Sequence, residues 1–122
     1  MHSTQQPLHS DYVHFGTLPE GRLAGSWIAL EDINPLSGPL QVVPKSHKLD
    51  YFNYELVTDY PPKKWDEVKL NSMLYEKWVI KLMEEQNLKS ITPKMKKGDC
   101  IIWDANLLHG SPVCINNKIF RY

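Results

Sequence analysis

Pro7-Leu8-His9-Ser10-Asp11 is the segment from which the fold and the chemistry of this 122-residue chain can be predicted. Its imidazole and its carboxylate are two residues apart, and side chains at that spacing on a β-strand point to the same face of the sheet. Two histidines and one carboxylate on one side of a metal ion form the open site that holds non-heme iron(II). The segment alone also fits a turn or a surface pair, so a metal site needs a second histidine from elsewhere in the chain.

The second histidine has one strong candidate, His109, which lies far downstream and precedes a Gly-Ser pair. On an unbroken strand, His14 falls on the face opposite to His9 and Asp11, so we predict a structural role for it. His47 lies in a Pro- and Lys-containing loop and is predicted to be a loop or capping residue. The spacing therefore indicates His9, Asp11 and His109 as candidate metal ligands.

Composition excludes several classes of protein. Fourteen Lys and Arg residues balance fourteen Asp and Glu residues, so no nucleic-acid or anionic-membrane partner is expected. No apolar run approaches the roughly 20 residues of a membrane span, and the first residues lack the pattern of a secretory signal. Cys100 and Cys114 do not have the spacing of a metal-binding pair, so we interpret them as free thiols of a cytoplasmic protein.

Short apolar segments between Gly- and Pro-rich turns predict a mainly β fold. The predicted strands are residues 8–15, 23–33, 40–43 and 100–104, and residues 119–122 begin another. Both faces of segment 23–33 are apolar, which is typical of a strand with one face in a barrel interior and the other against a second layer. The pattern favours a sandwich or a jelly roll in one small domain.

One segment has a helical period instead. Leu74, Trp78 and Leu82 recur at a spacing of four residues, which places them on one face of a helix. Asn87 can end such a helix in the left-handed conformation. We therefore predict one inserted α-helix around residues 72–86 that lies over the sheet and uses its apolar stripe for core packing.

Five motifs follow one another along nearly the whole chain. They are Gln6-Pro7-Leu8-His9-Ser10-Asp11, Trp27-Ile28-Ala29-Leu30-Glu31-Asp32, Ser37-Gly38-Pro39-Leu40 through Ser46-His47-Lys48, Lys97-Gly98-Asp99 and Leu108-His109-Gly110-Ser111. In this order and spacing they resemble the phytanoyl-CoA dioxygenase family, in particular its bacterial members. The resemblance implies a cupin-like double-stranded β-helix, or jelly roll, and an oxygenase that depends on iron(II) and 2-oxoglutarate.

The resemblance also implies roles for individual residues. Three residues match the iron ligands of the family, namely His9, Asp11 and His109. Arg121 matches the arginine that holds the distal carboxylate of 2-oxoglutarate, and a guanidinium fork suits that task because it pairs with a carboxylate through two hydrogen bonds and stays charged. Ser111 matches a hydroxyl that binds the same carboxylate, and Trp27 matches an aromatic residue of the co-substrate pocket. Without the resemblance, Arg121 fits a surface position, and Ser111 and Trp27 fit turn and core positions.

The chain departs from the family pattern at a turn and at both ends. Lys45 stands where the family usually has glycine, which argues against a left-handed turn there. Family members have helices and a core strand before the His-x-Asp motif and more strand after the arginine. We therefore expect residues 1–122 to form a single partial jelly-roll domain, incomplete at both ends. Exposed strand edges in such a fragment favour a homo-oligomer.

The implied reaction is hydroxylation of a small organic substrate by molecular oxygen, with conversion of 2-oxoglutarate to succinate. Two alternatives stay open: a catalytically inert metal-binding jelly-roll module, and a truncated structural fragment in which the three ligands never meet. Metal binding separates the fragment from the other two, and succinate formation separates the enzyme from the inert module. Arg121 favours the enzyme, because a bare metal-binding module does not need it.

Overall fold

The computed structural model describes residues 5–15, 19, 22–53 and 68–112. Within these residues the regular elements are five β-strands, one α-helix and three single-turn 3-10 helices. The strands and the α-helix are β1 (Gln6–His9), β2 (Ala24–Ile28), β3 (Gln41–Val42), α1 (Val68–Glu85), β4 (Cys100–Asp104) and β5 (His109–Ser111). The 3-10 helices are Asp11–Val13, Pro35–Ser37 and Ser46–Lys48.

The strands form two antiparallel sheets. In the three-stranded sheet β5 lies between β1 and β3, and β2 pairs with β4 in the two-stranded sheet. His109 is opposite His9 on one side and opposite Val42 on the other. Antiparallel sheets with one helix confirm the mainly β prediction, and the arrangement is compatible with a cupin-like fold.

The first strand is shorter than predicted. β1 ends at His9, and Asp11–Val13 forms a 3-10 turn that is closed by hydrogen bonds from the N–H groups of His14 and Phe15 to the carbonyl oxygen of Asp11, both 3.0 Å long. The alternation of faces therefore stops before Asp11. The prediction that His14 lies on the opposite face is wrong, because its ring centroid is 5.4 Å from that of His9.

The two-stranded sheet has one open face. β2 covers only part of the predicted segment 23–33, and Ile28, Leu30 and Ile102 are 54%, 62% and 72% exposed. The expectation that both faces of this strand pack against other layers is therefore wrong within the described residues. The inward face carries alternate residues of β2 and β4, including Trp27 and Trp103.

The predicted helix is confirmed, although it begins at Val68 rather than near residue 72. It contacts β1 and contributes to a core in which its own residues meet the residue after β3, the residue before β5 and a loop residue. The buried members of this core are Val43, Phe52, Tyr75, Val79 and Leu108. Asn87 has φ of 48°, as predicted for a left-handed residue at the end of the helix. No helix in the described part of the chain has both the length and the apolarity needed to cross a membrane.

The turn at Lys45 is left-handed in spite of its side chain. Lys45 has φ of 72° and ψ of −8°, so the argument against this geometry from the missing glycine is wrong. The next residue, Ser46, is buried; its Oγ donates to the carbonyl oxygen of Val43 and accepts from the N–H of Leu108, at 2.8 Å in each case. These bonds hold the turn against the residue before His109, and the tertiary contacts therefore override the local preference of lysine.

Some predicted features lie outside the described residues. They are the strand start at residues 119–122, Arg121 and Cys114. Cys100, at the start of β4, is an exposed free cysteine, as predicted.

Candidate metal centre

Strand pairing brings the three candidate ligands together. His9 at the end of β1 is opposite His109 at the start of β5, and the 3-10 turn places Asp11 beside them. One ligand atom from each residue lies within 4.8 Å of the other two. The imidazole centroids are 4.6 Å apart, and Nε2 of His109 is 3.6 Å from Oδ1 of Asp11. This is a group that can hold a metal ion.

The backbone orients both imidazoles in the same way. Nδ1 of His9 lies 2.8 Å from the carbonyl oxygen of Pro7, and Nδ1 of His109 lies 2.9 Å from that of Leu107. A carbonyl oxygen only accepts hydrogen bonds, so each Nδ1 carries the proton. In its neutral form each ring therefore presents the lone pair of Nε2, which is how a second contact commonly prepares a histidine for a metal.

The carboxylate of Asp11 is also held by a neighbour. The indole Nε1 of Trp103 donates to Oδ2 of Asp11 at 3.1 Å, and the indole ring lies 4.9 Å from the imidazole of His109 between centroids. Trp103 comes from β4, so the hydrogen bond joins the two-stranded sheet to the turn that follows β1. No pattern in the sequence predicts this contact, because it depends on how the sheets are placed.

A tyrosine of the inserted helix holds the residue between two ligands. Oη of Tyr75 accepts from the N–H of Ser10 at 2.7 Å and donates to its Oγ at 3.2 Å. Ser10 is only 3% exposed, so water cannot readily replace these bonds. The helix therefore braces the short link between His9 and Asp11, a role that the helical period alone does not reveal.

Burial favours the neutral imidazole at the site. Desolvation lowers the pKa of His109 below its ordinary value, and this outweighs the opposing effects of its bond to Leu107 and of nearby Asp11. Desolvation also lowers the pKa of His14, followed by repulsion from His9. Since a metal displaces protons from its ligands, a neutral imidazole is already the form that binds. His14 lies beside the three-residue group but is not one of its members.

The other predicted site residues are placed differently. Ser111 is buried in β5, and its Oγ accepts from the N–H of Gln6 at 3.2 Å. Trp27 is half-buried on the inward face of β2. His47 is exposed in a 3-10 helix and outside the ligand group, which agrees with its predicted loop role. Arg121 lies outside the described residues.

The donor set fits iron(II). Two imidazole nitrogens and one carboxylate oxygen on one side of an ion form the facial arrangement of non-heme iron(II) sites. Such a site keeps further coordination positions for other ligands, unlike a closed structural zinc site with four protein ligands. The chemistry of the residues, rather than a bound ion, therefore points to an open metal centre.

The chain is similar to proteins of one family along almost its whole length. The family model for Phytanoyl-CoA dioxygenase (PhyH) matches residues 2–121. The human peroxisomal phytanoyl-CoA dioxygenase is 33% identical over 109 residues, which are 89% of this chain and 29% of that protein. The bovine and mouse peroxisomal phytanoyl-CoA dioxygenases are each 30% identical with the same coverage, so the chain spans less than a third of the length of these relatives. Its matched residues and its identity to these enzymes show that the chain belongs to the phytanoyl-CoA dioxygenase family.

Proposed function

We propose that this chain carries the metal centre of an iron(II)- and 2-oxoglutarate-dependent dioxygenase that hydroxylates a small organic substrate. The observation that carries the proposal is the convergence of His9, Asp11 and His109 with ligand atoms within 4.8 Å. The hydrogen bonds from Nδ1 of both histidines to backbone carbonyl oxygens support it, because they leave each Nε2 with a free lone pair. Membership of a dioxygenase family supports the same reaction class.

The fold proposal follows from the family and from the sheets. We infer that residues 1–122 form a single partial jelly-roll domain, a piece of a double-stranded β-helix. The two antiparallel sheets, with β5 in the middle of one of them, support this inference. The match covers only 29% of the length of the human relative, which supports a partial domain.

In the proposed site the residues of this chain have distinct tasks. His9 and His109 offer Nε2 atoms, and Asp11 offers Oδ1, so these residues would hold a metal from one side and leave room for a co-substrate and oxygen. Bound iron(II) would supply the oxidative chemistry that couples decarboxylation of 2-oxoglutarate to succinate with oxygen insertion into a C–H bond. The chain contributes position, charge and exclusion of water.

The co-substrate would be held by residues around this centre. We assign Arg121 to the distal carboxylate of 2-oxoglutarate, Ser111 to the same carboxylate and Trp27 to the pocket wall. Ser111 remains suited to this task because its hydroxyl accepts from Gln6 and still has its own proton to donate. The guanidinium of Arg121 supplies the opposite charge.

A second candidate is a catalytically inert metal-binding module. The observation that favours it is the exposure of Ile28, Leu30 and Ile102 on the outward face of the two-stranded sheet, because a face that no layer covers within the described residues is expected of an incomplete jelly roll. The third interpretation, a fragment in which the ligands never meet, is disfavoured by the short distances between His9, Asp11 and His109.

The proposed function also suggests binding partners for this chain and a location in the cell. We propose a small-molecule substrate and molecular oxygen as partners, with pairing to a second copy through strand edges. Nucleic-acid and membrane partners are not expected from the balanced charge. A cytoplasmic location stays a prediction, and the named mammalian relatives are peroxisomal proteins.

The experiment is an anaerobic titration with iron(II) followed by 2-oxoglutarate, observed by visible absorption. A metal-to-ligand charge-transfer band is expected with the unchanged chain. His109→Ala should abolish iron binding, whereas Arg121→Ala should keep iron and weaken 2-oxoglutarate binding. A folded protein without the band would refute the proposal, and a band without succinate formation would favour the inert module.

A further inference from the structure

The two carboxylate oxygens of Asp11 have different neighbours. Oδ1 lies 3.6 Å from Nε2 of His109, on the side of the ligand group. Oδ2 accepts a hydrogen bond of 3.1 Å from the indole of Trp103. The side chain of Asp11 is 18% exposed, so it is mostly shielded from competing water. An indole N–H can only donate, and its rigid ring fixes the direction of that bond.

The indole contacts two of the three candidate ligands. Its ring lies against the imidazole of His109, with centroids 4.9 Å apart and planes inclined by 48°. One side chain from β4 therefore touches both Asp11 and His109, which come from the other sheet and its adjoining turn. Movement of this ring would disturb the relative positions of both ligands.

Gly25 supplies the space in which the indole lies. It is directly opposite Trp103 in the β2–β4 pair. A Cβ atom at this position would lie 2.6 Å from Nε1 of Trp103, with the ring carbon Cε2 closer still, whereas non-bonded carbon atoms prefer about 3.5–4.0 Å. The ring lies across the backbone of Gly25, and glycine inside a strand commonly marks such a close approach.

We propose that Gly25 and Trp103 together position Asp11 as a ligand that binds metal through Oδ1 alone. This role rests on the proposed metal centre. The hydrogen bond keeps Oδ2 turned toward the indole, so the carboxylate presents Oδ1 to the metal. The coordination position that a second carboxylate oxygen would occupy would then be left for another ligand. Trp103 is thus a positioning residue that acts through Asp11.

The test measures cobalt(II) binding and the visible ligand-field spectrum of bound cobalt(II). Trp103→Phe keeps an aromatic ring but removes the N–H. Gly25→Ala keeps the tryptophan but adds a methyl group where the indole ring lies. Each should weaken cobalt(II) binding by about 10- to 100-fold, the usual effect of losing a partner of a metal ligand, and should change the spectrum. Ser26→Ala is the matched control, because Ser26 is exposed on the other face of β2; its affinity and spectrum should be unchanged.

The outcomes separate this role from the metal centre itself. If the unchanged chain does not bind cobalt(II), the proposed metal centre is refuted, and the positioning role with it. If the unchanged chain binds and folded Trp103→Phe binds with the same affinity and spectrum, the positioning role alone is overturned. A purely structural role would lower the melting temperature without changing the spectrum.

A measurement on the unchanged chain covers the case in which the variants do not fold. The indole N–H of Trp103 should exchange with solvent more slowly than a free indole, and its NMR signal should move when zinc(II) is added as a diamagnetic probe. Exchange at the rate of free indole, or a signal that zinc(II) leaves in place, would overturn the proposal.

Discussion

The hydroxyl of Tyr75 links the inserted helix to the metal-ligand turn, and its removal tests that link. Tyr75→Phe keeps the ring, which packs against Phe52 at 4.9 Å and Trp78 at 6.0 Å between centroids. It removes the Oη atom that bonds the N–H of Ser10 at 2.7 Å and its Oγ at 3.2 Å. The substitution therefore changes hydrogen bonding and leaves the shape of the core in place.

The expected loss is about 2 kcal/mol of unfolding free energy. Ser10 is 3% exposed, so its N–H loses its partner where water does not easily reach, and an unsatisfied buried donor costs about 1–3 kcal/mol. The hydroxyl of Ser10 can rotate to a new partner, so its lost bond adds little. For a domain of this size, about 2 kcal/mol corresponds to a decrease of about 8 °C in Tm. The loosened turn should also weaken metal binding by about 10-fold.

Urea unfolding of the metal-free protein measures the first effect, and cobalt(II) titration measures the second. Ser10→Ala removes only the weaker of the two bonds and should cost less than half as much. Tyr51→Phe is the control, since Tyr51 is half-buried and has no hydrogen bond from its hydroxyl in the described part of the chain; it should change neither quantity. Tyr75→Phe with unchanged stability and unchanged affinity would refute the idea that the helix braces the turn.

Three further predictions follow from local geometry. Gly110→Ala should destabilise the chain by about 1–3 kcal/mol and weaken cobalt(II) binding, because the added Cβ would lie 2.7 Å from the carbonyl oxygen of Gln6 and 2.9 Å from that of Pro7; unchanged affinity in a titration would contradict this. Lys45→Gly should raise the unfolding free energy in urea by about 1 kcal/mol, since lysine is strained at φ of 72° and glycine is not; a loss of stability would count against it. In the metal-free protein, burial lowers the pKa of His109 below 6.5, so its contribution to stability is complete above that pH and is lost as the pH falls toward the pKa of the folded state. His109→Ala should therefore flatten the dependence of unfolding free energy on pH between about 7 and about 5, and an unchanged slope would show the reasoning to be wrong.

The sequence identifies the three residues that converge, although the spacing predicts the wrong local structure for Asp11. His9 and His109 meet because β1 pairs with β5, and neither this pairing nor the strand that carries His109 was predicted from the sequence. Asp11 was expected on the same strand face as His9, but it lies in the 3-10 turn Asp11–Val13. The difference arises because β1 ends at His9, and the next backbone hydrogen bonds close the 3-10 turn instead of extending the strand.

Local sequence determined the helix and its left-handed end at Asn87, because periodicity and terminal residues act over a few neighbouring positions. It also determined the family and the choice of candidate ligands. Only the tertiary structure decided the contacts around those ligands, namely Trp103 with Asp11 and Tyr75 with Ser10. Each of these bonds joins segments that are distant in the sequence, so it depends on how sheets and helix pack and leaves no periodic signal in the chain.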